Sequence, residues 1–172
     1  MRILLDNPNG FFKKYRETFW ESFAYMAAVV GIFATLNEMS IRAGFTNYVP
    51  KVGIAESLLV NFMGLVGGFF LLALIFSSVT LKKYGFKRGF IKSFFLLSYA
   101  STPVFMLGWV PFAVVKAIGL LWALFFVMIG IKMKLGYDYR KSFFLTMFVI
   151  ATVYALILVS RNEILSVVPI YN

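Results

Sequence analysis

Neither cysteine nor histidine occurs anywhere in the 172 residues. Without cysteine the chain has no disulfide framework, no thiolate metal site and no thiol nucleophile. Without histidine it lacks the commonest general base and the commonest metal ligand. Acids are scarce too: Asp6, Glu17, Glu21, Glu38, Glu56, Asp138 and Glu163 face 17 Lys and Arg, leaving a net charge of +10. None of these acids falls in the middle of an apolar run. The sequence therefore offers no carboxylate pair and no metal cage, and it reads as a non-enzymatic chain without a cofactor. Charged residues of either sign make up only 14% of the chain, against about 25% in ordinary soluble domains.

What fills the chain instead is apolar side chain, at 61%, where about 45–50% is usual. That excess and the length predict a single integral membrane domain over residues 1–172. The most informative stretch is Lys82–Lys92, with five positive charges and no acid between two long apolar runs. A bilayer does not readily accept such a cluster, and cytoplasmic loops carry an excess of Lys and Arg, so the stretch is expected to be a cytoplasmic loop between two spans. Five spans follow, at about residues 20–36, 57–81, 93–109, 111–133 and 142–160, with a polar connection over 37–56. The fold class expected is all-α: a polytopic membrane bundle of five transmembrane helices with a short N-terminal interfacial helix.

That N-terminal helix lies within residues 1–18. Asp6 or Asn7 can cap it, Pro8 suits its first turn, and Phe11, Phe12, Tyr15 and Phe19 recur at roughly helical spacing opposite Lys13, Lys14 and Arg16. The segment lacks the apolar core and cleavage site of a signal peptide. With five spans, 13 of the 17 basic residues fall on the side of the N-terminus. The expected protein is a multi-pass component of the cell membrane with a cytoplasmic N-terminus and an external C-terminus. Because the basic residues flank apolar spans, their expected partners are anionic membrane lipids and not nucleic acid.

Several positions inside the spans stand out. Ala24, Ala27, Ala28, Gly31, Ala34 and Thr35 give the first span a small face. Gly64 and Gly68 stand in G-x-x-x-G spacing in the second, a pattern that lets helices approach closely and suits pairing with the small face of the first span, while a homo-oligomer is a separate option for the whole chain. Asn61 reads as an interhelical hydrogen bond or a ligand contact. Lys116 reads as a side chain snorkelling to the outer surface or an anion contact. Ser98, Tyr99, Ser101 and Thr102 precede Pro103, which predicts a kink whose freed carbonyl a neighbouring hydroxyl can satisfy.

Three stretches resemble the Yip (Ypt-interacting protein) family of five-span membrane proteins. Asn7-Pro8-Asn9-Gly10-Phe11-Phe12 resembles the N-P-x-x-F-F start of prokaryotic members. Ser98-Tyr99-Ala100-Ser101-Thr102-Pro103 resembles G-Y-x-x-x-P, with Ser98 in place of Gly. Leu121-Trp122 through Gly130 to Lys134 resembles a Trp-containing fourth helix that ends in a G-hydrophobic-K turn. The D-L-x-G-P element and long soluble N-terminal region of eukaryotic members do not appear here, as in the short prokaryotic or archaeal form. The resemblance implies a five-span fold; the link to Rab-type GTPases and vesicle trafficking belongs to the eukaryotic members, whose best supporting part this sequence lacks, so the fold carries over more fully than the function.

Two functions are expected from these features. The first is a scaffold or adaptor whose cytoplasmic face, Lys82, Lys83, Lys87, Arg88, Lys132, Lys134, Arg140 and Lys141, meets anionic lipid or a protein partner. The alternative is a small transporter or permease component with a polar path near Asn61, Tyr99, Ser101, Thr102 and Lys116.

Overall fold

Asn7 opens the first helix. Its Oδ1 accepts a hydrogen bond from the Gly10 amide at 2.8 Å, and Pro8 occupies the first turn, where a missing N–H costs nothing. The computed structural model describes residues 6–16, 18–45, 53–148, 150 and 151, and among them every regular element is helical. In chain order these are α1 (Pro8–Lys14), α2 (Phe19–Ser40, unwinding through a wider turn at Ile41–Phe45), α3 (Ile54–Tyr84), α4 (Phe86–Ala100), α5 (Thr102–Gly108) and α6 (Ala113–Gly130, with a π-helical turn at Ile131–Leu135). A further helix, α7, covers residues 139–148 and resumes at 150–151. Among the described residues four stretches are long and apolar enough to cross a bilayer: Phe19–Phe45, Ile54–Tyr84, Phe86–Gly108 and Ala113–Leu135. The expected fifth span begins with α7, and its remainder lies outside the described residues, as does the C-terminus.

Three expectations about loops are corrected. The Lys82–Lys92 stretch is helical except at Gly85. There α3 ends and α4 begins, with the chain reversing through φ 70° and ψ 166°, a backbone conformation that only glycine adopts without strain. A single such residue suffices for the reversal, and the flanking Lys, Arg and Phe stay in helix. Within the connection expected over 37–56, the described part is helical apart from Gly44 and Gly53, because α2 runs on past residue 36 to Ser40 and through the turn to Phe45, and α3 starts at Ile54. The third span, expected from residue 93, starts at Phe86 and is offset at Ser101. At 31 residues α3 is about 46 Å long, well beyond the roughly 30 Å hydrocarbon core, so it tilts or projects.

The bundle is built around α4. From Lys92 to Ala100 every residue of α4 is buried except the half-buried Tyr99. α3 returns against it as an antiparallel hairpin, with Phe70 5.2 Å from Phe94 and 6.2 Å from Phe90 between ring centres. α2 runs parallel to α4–α5 in a ladder of aromatic pairs: Phe19 with Phe94 at 5.2 Å, Tyr25 with Tyr99 at 4.3 Å and Phe33 with Phe105 at 5.1 Å. α6 runs antiparallel to α4–α5 and approaches through glycines. A Cβ on Gly119 would stand 3.0 Å from the Pro103 carbonyl oxygen, and one on Gly130 would stand 2.9 Å from Leu96 Cγ. In lipid no hydrophobic drive separates one helix face from another, so close packing of this kind and aromatic pairing hold the helices together.

No such close approach is found at Gly64 and Gly68 among the described residues. Nothing among the described residues lies within 4 Å of a Cβ built on either, or on Gly67. Gly31, Ala34 and Thr35 on the small face of α2 stand opposite Ala55, Leu58, Leu59 and Phe62 of α3, with Phe62 4.0 Å from a Cβ built on Gly31. The α2–α3 contact is further carried by Phe19 and Phe23 on Phe70 and by the hydrogen bond from Ser57 to Glu38 at the far end.

Candidate functional site

The stretches 7–12, 98–103 and 121–134 are far apart in sequence, and the structure gathers them around Phe95. Phe11 and Phe12 of α1 lie 6.3 and 6.2 Å from its ring, Tyr99 lies at 4.9 Å, and the Lys134 ammonium lies 4.9 Å from its ring centre. Phe11 also reaches Tyr99, at 5.0 Å. Phe12 is fully buried, with its ring tip 3.4 Å from where a Cβ on Gly130 would sit. Lys134 fixes the exit of α1 by donating from Nζ to the Tyr15 carbonyl at 2.5 Å. The N-terminal helix therefore forms with the expected cap, and its aromatic face is seated on the bundle, between α4 and α6.

The Tyr99–Pro103 spacing has a direct physical meaning. Pro103 has no N–H, and in a helix that N–H would bond the carbonyl four residues earlier, which is Tyr99. Thr102 Oγ1 donates to the Tyr99 carbonyl instead, at 2.7 Å, and Tyr25 OH lies 2.7 Å from the same hydroxyl. Ser98 and Ser101 turn back on the Phe94 and Leu97 carbonyls, each at 2.8 Å. The hydroxyls beside the kink are thus engaged with backbone and with each other, and Tyr25 is a member of the group that sequence reasoning did not single out.

The basic residues divide into two sets. Lys83 Nζ and Tyr84 OH both donate to the Leu135 carbonyl, at 2.6 and 2.8 Å, and Lys92 Nζ donates to the Lys134 carbonyl at 2.9 Å. These are the last carbonyls of α6 and its closing turn, which carry the negative end of the helix dipole and have no partner within their own helix. Gly136 follows in the left-handed conformation that ends such a turn. Lys83, Lys92 and Lys134 therefore tie α3, α4 and α1 to the end of α6. Lys92 was not among the expected face residues. No sequence signal marks it, since a lysine beside an apolar run reads as one that snorkels outward.

Lys92 and Lys134 are buried and Lys83 is exposed; the second set is exposed as well: Lys82, Lys87, Arg88, Arg140 and Lys141, with Lys132 half-buried over the Tyr139 ring at 3.5 Å. Lys87 and Arg88 help line a recess of about 470 Å³ with Tyr84, Gly85, Phe86 and Ile91. All of these groups lie at one end of the bundle, where α3 and α6 finish and α4 and α7 begin.

The polar positions expected to form a path are not gathered. Lys116 is exposed on the first turn of α6, and Asn61 is half-buried on α3. α3 packs mainly on α2 and α4, whereas α6 packs on α5, α4 and α1. At the opposite end of the bundle Glu38 is an unexpected buried acid, 2% exposed, accepting from Ser57 Oγ and Arg42 Nε at 2.7 Å each. It joins the end of α2 to the start of α3. Among the described residues no group of three His, Cys, Asp or Glu side chains is placed to hold a metal.

A family model described as the Yip1 domain matches residues 2–160. Comparison with curated proteins and with solved structures finds no match.

Proposed function

The chain belongs to the Yip1 domain family, and from that premise we propose that this multi-pass integral membrane protein is a non-enzymatic scaffold or adaptor that works from one basic face. The observation that carries this reading is the exposed set Lys82, Lys87, Arg88, Arg140 and Lys141 at one end of the bundle, where Lys83, Lys92 and Lys134 fasten three helices to the end of α6. In the proposed orientation this end and the N-terminus are cytoplasmic, five spans cross the cell membrane, and the face meets anionic headgroups and an acidic surface of a protein partner. The proposal extends to membrane organisation or trafficking-like processes, supported by family membership alone.

A transporter is the competing reading. It is disfavoured because the hydroxyls of Thr102, Ser98 and Ser101 serve backbone carbonyls and Asn61 and Lys116 sit on helices that are not principal neighbours. Replacing both Lys87 and Arg88 with Gln distinguishes the two. Three charges remain in that stretch, so orientation is kept. A scaffold loses its partner in crosslinking from native membranes, and the wild-type contact weakens as salt rises. Partner contact retained in this variant, together with solute uptake that depends on Tyr99, overturns the proposal in favour of transport.

A further inference from the structure

A groove of about 520 Å³ runs along the side of the bundle between α3 and α7, lined by Val79, Tyr137, Lys141, Phe144, Leu145 and Phe148. Its chemistry changes along its length. Tyr137 and Lys141 stand at the basic end. Phe144, Leu145 and Phe148 continue along the same face of α7, up to about 10 Å further at 1.5 Å per residue. A second cation closes the polar end: the Lys83 ammonium lies 4.9 Å from the centre of the Tyr137 ring. Asp138 is the nearby acid, and its carboxylate already accepts from the Lys141 amide at 2.8 Å, capping α7. The balance at this end is positive, with Lys83, Arg140 and Lys141 against Asp138.

We propose that this groove binds one anionic glycerophospholipid, with a chain along Phe144, Leu145 and Phe148 and the phosphate against Lys141, Lys83 and the Tyr137 hydroxyl. The inference rests on reading the basic end as a face at headgroup level, and it adds a defined site to that face. The groove opens on the outside of the bundle, beside the exposed rings of Phe143 and Phe144, where the surrounding solvent is lipid. A basic rim above an apolar channel between membrane helices matches a lipid's own sequence of charge and hydrocarbon. A protein helix would have to bring acids to the rim as well as an apolar face to the channel.

The test is native mass spectrometry of the full chain released from bilayers of mixed phosphatidylglycerol and phosphatidylcholine. The wild type is expected to retain one phosphatidylglycerol in preference to phosphatidylcholine. Lys141→Gln should lower that preference about fivefold, the equivalent of one basic group near an anionic headgroup. Val79→Trp, which fills the channel from α3, should reduce lipid retention without changing charge. The Lys87→Gln, Arg88→Gln pair, on the other side of the Gly85 turn, should leave retention unchanged even where it abolishes partner contact. Equal retention of both lipids by the wild type overturns the site. So does unchanged retention in both Lys141→Gln and Val79→Trp, or a stoichiometric polypeptide in place of lipid. Equal loss in the Lys87/Arg88 variant also overturns it, because the attraction would then be diffuse.

Discussion

Thr102 supplies to Tyr99 the hydrogen bond that Pro103 cannot. Its hydroxyl lies 2.7 Å from the Tyr99 carbonyl oxygen and 2.7 Å from the Tyr25 hydroxyl, so one buried side chain repairs the kink and fastens it to α2. Thr102→Val should strand the Tyr99 carbonyl and cost about 1–3 kcal/mol, the penalty of an unpaired buried polar group. Thr102→Ser should recover most of the loss. Thermal unfolding in detergent reads both, and equal stability of the Val and wild-type chains would remove the repair.

Gly119 on α6 is crowded where Gly64 on α3 is open. Gly119→Val should destabilise by about 1–3 kcal/mol, because a Cβ there already stands 3.0 Å from the Pro103 carbonyl and backbone must shift. Gly64→Leu should change the stability of the chain by no more than about 0.5 kcal/mol, since nothing among the described residues faces it. The reverse order in a thermal melt would restore the G-x-x-x-G stripe as the packing face.

Docking of α1 should depend on Phe12 and Lys134 together. Phe12→Ala empties a fully buried site, at a cost of about 3 kcal/mol or more. Lys134→Met removes the donor to the Tyr15 carbonyl while keeping an apolar stem over Phe95. Each variant should speed tryptic cleavage at Lys13 and Lys14, and a cleavage rate equal to wild type in both would mean that α1 is held by something else.

Orientation is directly accessible because the chain has no native cysteine. Lys87→Cys, on an exposed position, should resist a membrane-impermeant thiol reagent applied to intact cells and react once the membrane is opened. Labelling from outside would invert the topology and the proposed working face with it.

The class of the protein was legible in residues 20–36, 57–81, 93–109 and 111–133, because the thickness of a bilayer imposes a length on any apolar run that crosses it. Those four expectations became four membrane-length helices, each with shifted ends. The ends moved where a partner existed that no local pattern announces. α2 runs past residue 36 to a Glu38 that Ser57 accommodates, and the basic stretch stays helical because Gly85 alone makes the turn.

Short-range chemistry was also readable: the Asn7 cap, the Pro8 start and the kink at Pro103 follow from spacings of three or four residues. What the sequence could not assign is which face of each span is core. In water an amphipathic period marks the buried side, but in lipid both sides are apolar and the period fades. That is why Gly64 and Gly119 look alike in sequence and only one is crowded, and why Lys92 and Lys134 look like surface charges until the end of α6 is placed beside them. The assembly of Phe11, Phe12, Tyr99, Gly130 and Lys134 around Phe95 was decided by tertiary structure, because only the packed bundle brings unpaired helix-end carbonyls and close backbone contacts within reach of residues so distant along the chain.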